Sequence, residues 1–376
     1  MKVIVKEIES KRDLKEFVVF PNKLYKGNPY YVPQLISADM DSLNPKKNHA
    51  FEFCEGKYWG AYDEKGKMVG RIAGIINHEY NRKMNTMYVR FGWMDFIDDV
   101  DVVNALFDTM EVWAKSRGAE YICGPLGFLE FDIAGVLVDG FDQLPTAYGK
   151  YNAPYYAGHL ERRGYVKDVD WIEYRTTIPD KMPENVDIMA QRLAERYEVK
   201  ALQFTRKKDL MKYADQVFEL MNHEYGALHG FSHLSPGQVE DLKNQFIPLL
   251  NLKYVVLIVD KNDKLISFSF CLPSLSKALQ KANGHLFPFG FLHIKHALRK
   301  NDVIDSLLVA VASEYRSKGI TAIVFSTLAK RFIEDGYKAV ESTRELEENH
   351  SVRNLWNRYD YVIHKRARAY MKKVND

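Results

Sequence analysis

Leu307-Leu-Val-Ala-Val-Ala-Ser-Glu-Tyr-Arg-Ser-Lys-Gly-Ile-Thr321 is the stretch on which the fold turns. Six apolar residues in a row, bounded by polar ones, have the length of a buried strand. The residues after them return to the apolar side at Ile320, Ile323, Val324, Leu328 and Phe332, the period of an amphipathic helix. The sequence therefore predicts a strand over 306–312, a short loop Arg316-Ser-Lys-Gly-Ile-Thr321, and a helix opening on that loop. The first amides of a helix have no carbonyl one turn behind them and attract an anion. A glycine lets the backbone approach closely, and Arg316 and Lys318 add charge at the same place. Taken alone, strand, loop and helix occur in many α/β proteins with no ligand at that turn.

Upstream, Tyr254–Val259, an Asp-Lys-Asn-Asp-Lys turn and Leu265–Leu272 read as a two-stranded hairpin. The same order stands in the first half: Tyr58–Tyr62, a Glu-Lys-Gly-Lys turn, Met68–Asn77, then a strand over Met87–Phe91. A helix follows there too, with Val103, Leu106, Phe107, Met110 and Trp113 on one stripe. Asn152 precedes Tyr165 by 13 positions and Asn349 precedes Tyr361 by 12, so the halves also close alike. Between them lies the polar, twice-proline stretch Ile178-Pro-Asp-Lys-Met-Pro-Glu-Asn185, then a helical segment over Val186–Tyr197. The expected organisation is a first domain over 1–180, a linker and helix over 181–200, and a second domain over 201–376, of α+β class with a mixed sheet in each.

A chain of 376 residues suits two domains, and 46% hydrophobic with 27% charged residues is ordinary globular composition. With 53 basic and 50 acidic residues the net charge is +3, which gives no bulk pull toward nucleic acid or an anionic membrane. Any such interaction has to come from a local patch. Cys54, Cys123 and Cys271 are too few and too scattered for a disulfide framework or a metal site, so no metal is expected. Met1–Ser10 is charged rather than signal-like, and no apolar window reaches spanning length. A cytoplasmic protein with no membrane partner is the expectation.

Arg316-x-x-Gly319-x-Thr321 resembles the Gln/Arg-x-x-Gly-x-Gly/Ala loop of GNAT-type N-acetyltransferases, with Thr321 in place of the last small residue. Glu347-Glu-Asn349 and Leu355-Trp-Asn-Arg-Tyr-Asp-Tyr361 resemble that superfamily's later motif. The resemblance implies an acyl-CoA, acetyl-CoA or a longer one, as co-substrate. Its diphosphate would lie at Arg316, Ser317, Lys318, Gly319, Ile320 and Thr321. Its pantetheine would pair with backbone of Val309, Ala310, Val311 and Ala312, near Asn349. The family's usual tyrosine acid is Trp356 here, and an indole is not an acid near neutral pH. The first half resembles the same family in Asn152-Ala-Pro-Tyr-Tyr156 and Glu161-Arg-Arg-Gly-Tyr165. In place of a phosphate loop it has Asp95-Phe-Ile-Asp-Asp-Val-Asp101, whose carboxylates repel a diphosphate. Pro21-Asn-Lys-Leu-Tyr25, Tyr31-Val-Pro33, Gly70-Arg-Ile-Ala73, Gly124-Pro125, Gly140-Phe-Asp142 and Gly284-His-Leu-Phe-Pro-Phe-Gly290 resemble landmarks of uncharacterised bacterial two-domain GNAT-like proteins.

The expected reaction is N-acyl transfer, acetyl transfer in the simplest case, to an amine on a small molecule or peptide. Glu224, His229 and His233, all within Asn222–His233, are the expected bases. Two other readings stand beside it: a tandem GNAT-fold transferase using aminoacyl-tRNA, and an inactive GNAT-like scaffold. The basic runs Arg206-Lys-Lys208 and His364–Lys373 read as exposed charge, so nucleic acid is not an expected partner. A homodimer is compatible with the sequence.

Overall fold

The computed structural model describes residues 2–146, 148–349 and 360–374. Its strands are β1 (Ile4–Glu7), β2 (Cys54–Tyr62), β3 (Met68–Asn77), β4 (Tyr88–Phe96), β5 (Tyr121–Gly124), β6 (Val136–Asp139) and β7 (Val166–Thr177) in the first half. The second half contributes β8 (Lys200–Leu202), β9 (Val255–Val259), β10 (Leu265–Pro273), β11 (Val303–Val311), β12 (Ala339–Ser342), β13 (Glu345–Leu346) and β14 (Tyr361–Lys373). One mixed sheet holds them in the order β1-β2-β3-β4-β5-β14-β7-β12-β11-β10-β9-β8, with β6 beside β14 and β13 beside β7.

The two predicted hairpins are β2–β3 and β9–β10. Every residue of β3 and of β9 is buried; β9 is a continuous apolar run, and β3 carries Arg71 inward to Asp95. Both predicted helix stripes face the core. Val103, Leu106, Phe107 and Met110 are buried on the helix Val100–Ser116, and Ile320, Ile323, Val324, Leu328 and Phe332 on the helix Ile320–Glu334. The helix after the proline stretch, Glu184–Arg196, packs on the second half: Leu193 and Ala194 lie against the cluster containing Ile320 and Ile323, and Asp187 takes Lys330 at 2.6 Å.

The acidic stretch of the first half is occupied by structural tasks. Asp95, wholly buried at the end of β4, pairs with Arg71 at 2.7 Å and Lys150 at 2.9 Å. Asp98 meets His159 at 2.7 Å, and Asp99 caps the helix Val100–Ser116 through the amides of Asp101 and Val102.

The last strand does not stay with its own half. β14 lies between β5 and β7 and pairs with both, while β7 pairs on its other edge with β12. Each half therefore completes its sheet with a strand of the other. At the β14–β7 seam the ammonium of Lys365 meets Glu173 at 2.7 Å and donates to the Leu144 carbonyl at 2.9 Å, with both charged side chains more than nine-tenths buried. Removing one partner of a buried pair strands the other charge. We expect Lys365→Met to lose about 3–5 kcal/mol in urea unfolding at unchanged slope, and a loss below about 1 kcal/mol would contradict this role.

Candidate active site

Only two neighbouring pairs in the described sheet path are parallel, β4–β5 and β11–β12, and both part early. β4 and β5 pair over Tyr88–Arg90, after which the gap is filled from within. Leu126 N–H donates to the Phe91 carbonyl at 2.8 Å, and a Cβ on Gly92 would stand 2.4 Å from the Leu126 oxygen. In the second half β11 and β12 pair over Val303–Ser306, and Thr343 then bonds the carbonyls of Ser306 and Leu307. Beyond that point β11 keeps its partner β10 on one side and on the other borders a cavity of about 160 Å³. At this edge the Val309 carbonyl accepts the Tyr225 hydroxyl at 3.0 Å. Ala312, expected to offer its backbone here, instead donates its N–H to Ile266 at 2.8 Å.

The chamber draws its walls from both halves. Glu130 and Phe131 come from the loop after β5, Trp171 from β7, and Tyr225, Val309 and Asn349 from the second half. Arginines hold that loop in place. Arg344 donates to the carbonyls of Asp132 at 2.7 Å and Ala134 at 2.8 Å, with its guanidinium over Trp171. Buried Arg90 donates to Gly127 at 3.1 Å and, across to the second half, to Gly230 at 3.0 Å. A Cβ on Gly230 would stand 2.7 Å from the Glu130 carboxylate, so the glycine allows that close approach. Burial pushes the Glu130 carboxyl up to about 7, against the pull of Arg344, His229 and Arg90. Sequence reasoning missed Glu130, because nothing in Leu129-Glu-Phe131 signals that the loop is folded into a cleft.

The chamber shares wall residues with two further spaces. A wider cleft of about 630 Å³ shares Tyr225, Leu228, Val309, Leu346 and Asn349 with it and reaches Arg316 and Thr321 at the helix opening. A narrow, almost wholly apolar pouch of about 90 Å³ shares Phe131, Phe246, Leu307 and Leu308 with the chamber. It runs between Val217 and Met221 on one side and Leu242 and Ile247 on the other.

The expected residues fall differently around this space. Ser313–Lys318 form a 3-10 turn, and Gly319 has φ +74°, the left-handed conformation that glycine takes without strain. The side of Gly319 where a Cβ would stand faces Leu193 on the helix Glu184–Arg196, while Arg316 and Thr321 border the cleft. Arg316 forms an ion pair with Glu224, and Lys318 lies over the Tyr315 ring at 4.2 Å. Glu224 also accepts from the amide and the hydroxyl of Ser313, each at 2.9 Å. Against burial, which would raise it, bonds from His223 and Ser313 and the charge of Arg316 hold the Glu224 carboxyl below its usual range. It straps the turn to the helix Ala214–Tyr225. His229 borders the cleft, with Nε2 3.2 Å from Asp168. His233 is exposed, its Nδ1 against the Leu234 carbonyl, and lies outside the walls of these spaces. Asn349 borders both chamber and cleft, whereas Trp356 lies outside the described residues.

No protein-family model matches the chain. It is 28% identical to Protein YghO of Escherichia coli K12, across 99% of this chain and 95% of that one. It is 24% identical to the bacterial ceramide synthase of Caulobacter vibrioides, across 97% and 96%. Among solved structures it resembles a tandem GNAT protein from the clavulanic acid biosynthesis pathway, with TM-score 0.58 and 11% identity across 100% of this chain and 99% of that one. The chain thus has the fold of two GNAT-type halves in tandem.

The raised Glu130 carboxyl sets a pH dependence. Its folded value near 7 lies above the unfolded 4.5, so protonation favours the fold. That contribution is complete below about pH 4.5 and is lost as pH rises through 7. We expect Glu130→Gln to gain melting temperature over the native chain between pH 5 and 8. An identical difference at both pH values would mean that Glu130 titrates normally.

Proposed function

We propose that the protein is an N-acyltransferase that carries an acyl group from acyl-CoA to an amine, with the second half holding the CoA ester. The observation that carries this reading is the one-sided edge of β11, opening on a chamber that also holds Glu130. An extended pantetheine arm can add to such an edge as a strand would. Its diphosphate end would then reach the cleft bordered by Arg316 and Thr321, where the first amides of the helix Ile320–Glu334 lie.

The chemistry follows from the groups present. Near pH 7 Glu130 is poised to take a proton from an entering ammonium, leaving the amine nucleophilic. The amine attacks the thioester carbonyl, a C–N bond forms, the C–S bond breaks, and the thiolate leaves. Burial raises the Tyr225 hydroxyl, so it stays protonated at neutral pH and can give its proton to that thiolate. Glu130 releases that first proton to solvent, takes the second from the nitrogen once the C–N bond has formed and passes it to the Tyr225 oxygen, so both groups return to their starting state. His229, with Nε2 3.2 Å from Asp168 at the cleft wall, supplies a second polar group beside the entering amine.

The apolar pouch favours a long acyl chain over acetyl, since water gains nothing from polar partners there and each methylene transferred is favourable by about 0.8 kcal/mol. The likeness to a ceramide synthase supports the same direction, because a ceramide joins a fatty acyl group to the amine of a long-chain base. The inactive-scaffold reading draws on one observation, the engagement of Arg316 and Lys318 within the protein. On the transferase reading, Arg316 exchanges Glu224 for phosphate.

Thermal shift with acetyl-CoA and palmitoyl-CoA separates these readings. We expect both to raise the melting temperature and Thr321→Glu, which sets a carboxylate at the cleft wall, to abolish both shifts; no shift with either ester would leave the scaffold. Val217→Phe, which narrows the pouch, should weaken palmitoyl-CoA about tenfold or more and leave acetyl-CoA within about twofold. With turnover in hand, Glu130→Gln should lower kcat by about a hundredfold or more and remove the ascending limb near pH 7. Full activity in that variant would exclude Glu130 as the base.

A further inference from the structure

The segment Gly284-His-Leu-Phe-Pro-Phe-Gly290 and the helix after it play no part in the reaction above. The segment links the helices Ser276–Ala282 and Gly290–Ala297, which form a hairpin against the first half. Gln280 donates to the carbonyls of Pro29 and Tyr31, Ser276 to that of Pro145, and Ile36 donates its amide to Gly284. The hairpin's inner side, with Ala278, Leu279, Ile294 and Ala297, packs in one cluster with Leu307, Leu308, Tyr148 and Phe246, which also wall the chamber.

The outer side is unusual for a surface. Phe287 is 72% exposed, Phe289 68%, Leu292 48% and Phe291 40%. The rings of Phe287 and Phe291 lie tilted against each other, 5.7 Å apart. Four large apolar side chains gathered in six residues form a patch of the kind that marks an interaction site. Around them, residues 274–301 carry Lys277, Lys281, Lys295, Arg299 and Lys300, with His285, His293 and His296, and no Asp or Glu. This segment alone exceeds the +3 of the whole chain. All five lysine and arginine side chains belong to exposed residues.

We propose that this hairpin docks the protein on an anionic lipid surface. The aromatic tip enters the boundary between headgroups and acyl chains, and the basic residues rest on the phosphates. Aromatic side chains beside lysines, on a helix too short to span, are the composition of an interfacial anchor. Among the described residues no helix is long and apolar enough to cross a membrane, so contact of this kind lies on the bilayer. The bulk charge concealed the patch because acidic residues elsewhere offset it. A second copy of the chain is a poor occupant, since a two-fold contact would set five cations against five. An acceptor or donor drawn from the bilayer would arrive beside the chamber wall that the hairpin supports. The docking itself does not rest on the transferase reading.

Co-sedimentation of the full chain with vesicles tests this. We expect binding to phosphatidylcholine vesicles containing phosphatidylglycerol, and at least about tenfold less to phosphatidylcholine alone or at high salt. Phe287→Ser with Phe289→Ser should reduce anionic binding about tenfold or more, with melting temperature and acetyl-CoA response unchanged, because both rings lie outside the core. Lys295→Glu with Arg299→Glu should do the same through charge. No sedimentation with either vesicle, equal binding by the phenylalanine variant, or a native dimer that this variant dissociates would each overturn the proposal.

Discussion

The parallel pairing of β11 with β12 lasts four residues, from Val303 to Ser306, and the rest of the functional site depends on its stopping there. An unpaired strand edge inside a protein is costly unless something occupies it. In the first half the Gly124–Leu126 segment does so, with Leu126 bonded to Phe91. In the second half the Tyr225 hydroxyl takes the Val309 carbonyl, and the remaining edge faces a chamber. One sequence difference thus separates a closed splay from an open one: the first half spends a loop on its own gap.

Holding the chamber open falls to residues that cross between the halves. Arg90 and Arg344 fix the Glu130 loop at Gly127 before it and at Asp132 and Ala134 after it, and Lys83 of the first half donates to the carbonyls of Gly226 and Phe231 in the second. The exchange of central strands, β14 into the first half's sheet and β7 beside β12, makes the two halves one continuous sheet. A shift of either half would therefore move Glu130 relative to β11. A tandem arrangement with one open cleft makes sense in these terms, because the closed half supplies the carboxylate and the frame.

Local patterning made much of this fold legible. The hairpins β2–β3 and β9–β10, both core helices and the Gly319 turn follow from apolar period and turn residues, which act over a few positions. The exchange of β7 and β14 was not legible, since pairing partners some two hundred residues apart leave no local signal. At the site, Val309, Thr321, Arg316, His229 and Asn349 do border the cleft system. The engagement of Glu224 with Ser313 and Arg316 was not legible, because an acidic residue on a helix looks alike in sequence whether it is free or tied. Glu130 and Tyr225 escaped notice for the converse reason: their chemistry comes from burial and from neighbours on the other half.

A crystal soaked with a long-chain acyl-CoA shows whether the open edge of β11 holds the ester. The account predicts pantetheine running along Leu308–Val311, the sulfur between Glu130 and Tyr225, and the acyl chain passing Leu308 toward Val217. Density for the ester elsewhere, or an acyl chain lying along the surface with the chamber empty, would contradict it.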